Sequence, residues 1–134
     1  MDSNKRLAAA LLFQRLTVFL VMLMWTIDKF ARPEHASSVF AGFYFIEGLG
    51  SLPIYLLGGL ELLLLAAFVL GMKKRLTYGL VLVLHGISTV SSFKQYLAPF
   101  DGPNLLFFAA WPMLAACLTL YLLRDKDTLW TLGR

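Results

Sequence analysis

An all-α integral membrane protein, a bundle of four spanning helices, is the fold class this sequence predicts. Three observations lead there. Of 134 residues, 59% are hydrophobic and only 15% charged, where a soluble domain is nearer one-quarter charged; the mean hydropathy is +0.72. The charges gather between long apolar runs, as they do in membrane proteins. Glycine and proline punctuate those runs. The length suits one membrane domain over residues 1–134 with no separate soluble domain.

The elements follow in order. Met1–Arg6 is a polar tail containing Lys5 and Arg6. The first span is predicted over 7–30, an apolar run interrupted by Gln14 and Arg15. A basic start and apolar middle also describe a cleaved signal peptide. The length of the run, Arg15, the closing Asp28-Lys29 and the lack of a small-x-small site there favour a span. Arg32, Pro33, Glu34 and His35 come next, then an aromatic stretch with Phe40, Phe43, Tyr44 and Phe45. That stretch is too short to cross, so 35–47 is predicted to be an interfacial helix or a re-entrant turn.

Gly48, Gly50 and Pro53 break the chain before a second span over 53–71. Pro53 suits a first helical turn and Gly71 a C-cap. The loop Met72–Arg75 is so short that the second and third spans must be antiparallel neighbours. The third span is predicted over 76–97. Pro99, Asp101, Gly102 and Pro103 make a turn, and a fourth span over 104–123 carries Pro112, where a kink is expected. The tail Arg124–Arg134 is polar apart from Leu129, Trp130 and Leu132, which are expected to rest on the membrane surface.

Basic residues set the orientation. One side holds Lys5, Arg6, Lys73, Lys74, Arg75, Arg124, Lys126 and Arg134; the other holds Lys29, Arg32 and Lys94. The excess marks the first side as cytoplasmic, which puts both termini inside and the protein in the cytoplasmic (inner) membrane. The bilayer is then the first partner. No nucleic-acid or phosphate-loop signal is present. Cys117 is the only cysteine, which excludes an intramolecular disulfide, a Cys-x-x-Cys centre and a cysteine-rich metal site, and suits a small packing residue. His35 lies in the outer segment and His85 near mid-depth, so a bis-histidine haem does not fit, and no metal site is expected.

Glu61 is the residue that asks for an explanation. A carboxylate near the middle of an apolar span costs roughly 2.5–3.5 kcal/mol on insertion scales. It lies about eight residues from the outer end of the second span, and His85 about nine from the inner end of the third, which places both near mid-depth. They are therefore expected to meet. His85 shares a helical face with Tyr78, Ser88, Thr89, Ser92 and Tyr96, and in the first span Arg15, Met22, Thr26 and Lys29 lie near one face. The candidate ligand-binding residues are Glu61, His85, Arg15, Lys29, Ser92 and Tyr96; no catalytic residue is assigned. A plainer reading stands beside each. A Glu61–His85 bond can be purely structural, the serines and threonines can serve packing, Arg15 can snorkel to the headgroups, and Asp28 and Lys29 can be interfacial.

Arg15-Leu16 in the first span, Lys29-Phe30 and Pro33 closing it, the aromatic outer segment, Gly58-Gly59-Leu60-Glu61-Leu62-Leu63, and Gly71 followed by basic residues form a pattern over nearly the whole chain. On these residues the chain resembles the DoxX-like family of small four-helix membrane proteins. It departs from the family in having Trp25-Thr26-Ile27-Asp28 where glycines are common. The resemblance implies a membrane redox setting, since the family is named after subunits of a thiosulfate:quinone oxidoreductase; most members have no assigned reaction. Quinone is the cofactor it suggests, and a membrane or redox protein the partner. The expected function is binding of a small hydrophobic ligand, quinone or lipid, as a component of a membrane redox system, with or without catalysis of its own. The alternatives are a structural or assembly subunit and, more weakly, a transporter that forms a homo-oligomer to enclose a path.

Overall fold

A computed structural model describes residues 2–48 and 50–132, so Met1, Leu49, Gly133 and Arg134 lie outside the described residues. Helix is the only regular structure among the described residues, which contain no strand. The helices are α1 (Ser3–Ala31), α2 (Pro33–Phe43), α3 (Ser51–Val69), α4 (Lys74–Ser91), α5 (Phe93–Leu97) and α6 (Ala110–Leu122). Short 3₁₀ turns cover Asn104–Ala109 and Arg124–Lys126.

Local chemistry fixes the ends. The Asp2 carboxylate accepts the Lys5 backbone N–H at 2.8 Å and caps α1. Arg32 leaves the helical region (φ −140°, ψ 68°) because it precedes Pro33, and Pro33 then opens α2. The segment predicted as an interfacial helix or re-entrant turn over 35–47 is thus a helix over Pro33–Phe43. α3 closes as the sequence suggests: Gly71 is left-handed (φ +66°), its N–H reaches Phe68 O, and the Met72 N–H reaches Ala67 O. This is the bonding of a glycine-terminated helix.

Two expectations about the later helices are corrected. The span predicted over 76–97 begins at Lys74 and stops at Ser91. Thr89 and Ser92 hydroxyls bond back to His85 O (2.7 Å) and Ser88 O (3.1 Å), and the Thr89 carbonyl accepts the Tyr96 hydroxyl at 2.8 Å. These local bonds compete with the helix ladder, so the chain breaks at Ser92 and restarts as α5. The predicted mid-helix kink at Pro112 is instead a change of helix type. Pro112 sits in the first turn of α6, where its missing N–H costs least, and the residues before it wind as a 3₁₀ turn.

α1 packs along α3 and α4 along α6, and contacts of α3 with α4 and of α6 with α1 close the ring. Small residues set the close approaches. A Cβ on Gly58 would sit 2.8 Å from the Phe30 ring, and one on Gly79 would be 3.4 Å from that of Tyr121. The apolar core joins Leu11, Val18 and Met22 to Leu65, Phe68, Val81, Cys117 and Leu120. Thr26, His85, Thr89 and Ser92 are buried as well, so the half of the bundle nearer α2 has a polar lining. Large apolar side chains such as Phe13, Leu63, Leu76 and Val90 face outward, as they do in lipid rather than water. Three segments, Ser3–Ala31, Ser51–Val69 and Asn104–Leu122, are long and apolar enough to cross a membrane.

Candidate functional site

Polar side chains inside the ring fall into three groups along its length. The first surrounds Glu61, about 15 Å along α3 from Ser51 and so near that helix's middle. Its carboxylate takes a 2.9 Å hydrogen bond from the Thr26 hydroxyl and an ion pair from Lys29 Nζ, at 3.1 Å to Oε1 and 3.2 Å to Oε2. The Lys29 and Glu61 side chains are 12% and 24% exposed, so the pair is partly screened rather than sealed. Lys29 is thus turned onto α3 rather than outward to an interface.

His85 forms the second group. Its side chain is buried, stacks on Trp25 with 5.9 Å between ring centroids, and places Nε2 3.0 Å from the Ala110 carbonyl oxygen. A carbonyl only accepts, so Nε2 carries the hydrogen. In the neutral ring Nδ1 is then a lone-pair acceptor, and it is buried without a hydrogen-bond partner. The expected Glu61–His85 bond is not formed. Glu61 bonds to Thr26 and Lys29, while His85 stacks on Trp25. The two groups therefore meet neighbouring residues of α1 at one level, with no bond between them.

The third group was not anticipated as a group. Arg15, fully buried, does not snorkel. Its Nη1 meets Asp127 Oδ1 at 2.5 Å, with both side chains wholly enclosed. Nε donates to Val69 O (3.1 Å), and Nη2 to Leu129 O (2.6 Å) and Trp130 O (3.2 Å). The Tyr78 hydroxyl donates to Asp127 Oδ2 at 2.6 Å, and Lys74 Nζ bonds the Asp127 and Arg124 carbonyls. Trp130 adopts a left-handed backbone (φ 55°), a conformation that costs a bulky residue of order 1–3 kcal/mol; the bonds to Arg15 offset it. The tail backbone is bonded to the end of the bundle, with the Leu132 N–H on Leu70 O, while the Leu129, Trp130 and Leu132 side chains remain exposed.

Of the remaining candidates, Ser92 and Tyr96 spend their hydroxyls on backbone carbonyls at the α4 break, and Tyr96 packs on Phe108 and Trp111. Asp28 ties α1 to α2 through Arg32 Nε (2.6 Å) and His35 Nδ1 (2.5 Å). Among the described residues, no three His, Cys, Asp or Glu side chains are grouped to hold a metal ion. Comparisons with family models, curated proteins and solved structures give no match. The residues that the sequence reading missed are Asp127, Lys74, Tyr78 as an Asp127 ligand, and Trp25. The available signal was Arg15 itself: a lone cation inside an apolar run calls for an anion, and Asp125 and Asp127 are the acids of the tail.

Proposed function

We propose that this chain is a four-span, DoxX-like membrane protein that binds a quinone or a similar ring-bearing hydrophobic molecule in a redox setting. In this reading α4 is the fourth span, at about 27 Å long, and both termini face the cytoplasm of the inner membrane. The observation that carries it is His85: a buried, stacked ring with an acceptor nitrogen and no donor to fill it. A buried polar atom left open costs roughly 1–3 kcal/mol, and a quinol hydroxyl would supply the missing hydrogen. Lys29, on the same stretch of α1 and oriented by Glu61, is a donor suited to a quinone carbonyl. Aromatic rings in and just after α2 provide an apolar approach, with Phe43 stacked on Phe107 and Phe40 tilted against Tyr44.

The alternative of a structural or assembly subunit is favoured by one observation: the Glu61 carboxylate is already satisfied within the chain. Extraction and mass analysis of what co-purifies decides between them. Quinone should accompany the wild-type protein and be lost in a folded His85→Leu variant. Wild-type protein with no bound quinone, stoichiometric only with another membrane protein, would replace the first reading with the second.

A further inference from the structure

The end of the bundle opposite α2 carries a feature that the quinone reading does not use. An open cleft of about 1110 Å³ lies between the start of α4 and the tail. Lys73, Arg75 and Arg124 line it against one carboxylate, Asp125. Lys73 and Arg75 are exposed and, among the described residues, enter no ion pair or side-chain hydrogen bond. Arg124 is fixed in place, its Nη1 donating to Tyr121 O at 2.7 Å and its guanidinium lying 4.6 Å from the centre of the Tyr121 ring. Lys73 is held at the lip by a left-handed turn (φ 48°) that opens α4, so the N-terminal amides of that helix add to the positive field. The wall is made rigid by Lys74, which is turned inward to the tail carbonyls.

We propose that this cleft binds the phosphate of an anionic phospholipid. Three cations converge on one concave space, two of them uncommitted, and a phosphate headgroup is the ligand that such a constellation neutralises. The apolar surroundings favour a lipid over a free phosphate compound. Leu76 borders the cleft, and Leu80, Val83, Leu84 and Ile87 continue from it at helical spacing along the outward face of α4, all exposed. An acyl chain anchored at the cleft would lie along that stripe.

The test uses whole protein in nanodiscs of phosphatidylcholine doped with phosphatidic acid, released into a native mass spectrometer that counts retained lipid. Wild type should retain phosphatidic acid in preference to phosphatidylcholine. Lys73→Asn with Arg75→Gln, the asparagine chosen because it tolerates the left-handed turn, should lower that retention roughly tenfold to thirtyfold, the worth of two cations at an anionic surface. Lys5→Gln with Arg6→Gln removes the same charge outside the cleft and should change it less than about twofold. Thr128→Trp keeps every charge but fills the cleft, and it should also lose the lipid; it decides the matter if the first variant does not fold. Equal losses from both charge pairs, retention in Thr128→Trp, or no preference in wild type would overturn the proposal. Displacement of the lipid by excess inorganic phosphate would overturn the lipid assignment and leave a site for soluble phosphate.

Discussion

Removing the Asp127 carboxylate should unlock the bundle's tail end. In Asp127→Ala the Arg15 guanidinium loses its carboxylate partner, at 2.5 Å, and the Tyr78 hydroxyl loses its acceptor, at 2.6 Å. Breaking a fully enclosed ion pair by deleting one partner costs about 3–5 kcal/mol. Three carbonyls, those of Val69, Leu129 and Trp130, still accept from Arg15 and pull the estimate down, while the stranded tyrosine adds about 1–3 kcal/mol. The expected loss is therefore about 3–5 kcal/mol. Arg15→Leu should cost a similar amount, because it leaves the buried Asp127 carboxylate without its guanidinium and strands three carbonyls. In Arg15→Leu with Asp127→Leu neither half of the pair is left buried without the other, so the double change should cost less than the sum of the singles by more than about 1 kcal/mol. Unfolding in mixed micelles of rising SDS content, followed by circular dichroism, measures all four corners of this cycle. A loss below about 0.5 kcal/mol in Asp127→Ala, or a coupling energy within about 0.5 kcal/mol of zero, would refute the idea that this pair locks the tail.

Three further outcomes follow from the geometry. A cycle between Glu61 and Lys29 should show coupling of about 0.6–2 kcal/mol, the range for interhelical polar bonds in membranes, whereas a Glu61–His85 cycle should return zero within about 0.5 kcal/mol because no bond joins them. Gly58→Leu should destabilise by about 1–3 kcal/mol through overpacking against the Phe30 ring, and Phe30→Ala should recover part of it; a neutral Gly58→Leu in the same SDS titration would contradict the close α1–α3 approach. Reporters fused after Arg134 and inserted between Arg32 and His35 should read cytoplasmic and external respectively, and two readings from the same side would break the four-span orientation.

The helix ends were legible where a single residue type dictates backbone geometry. Pro33 and Gly71 each end or begin a helix for reasons visible in the sequence, and the loop Met72–Arg75 does make α3 and α4 neighbours. Depth along a helix was legible too, since counting residues put Glu61 and His85 at one level and each does touch α1 beside the other, through Thr26 and Trp25. What the sequence withholds is rotation. α3 is apolar on nearly all sides, so its pattern has no face that tells Glu61 which neighbour to meet. The end of α4 was hidden because its serines and threonines are tolerable in a helix until Tyr96 diverts the Thr89 carbonyl. Arg15 and Asp127 are 112 residues apart, and no local pattern connects them.

That separation has a consequence for synthesis. Translation runs at about 5–20 residues per second, so Asp127 is made roughly 6–22 s after Arg15. During that interval α1 must enter the bilayer as an arginine-bearing segment with no internal counter-ion, at roughly 2.5–3.5 kcal/mol if held at depth. Until the tail arrives, Arg15 is a free cation suited to lipid phosphates or to an insertion factor. The Arg15–Asp127 contact can therefore close only after residue 127 has been made, and a chain stopped short of it would lack the ion pair that holds the tail to α1.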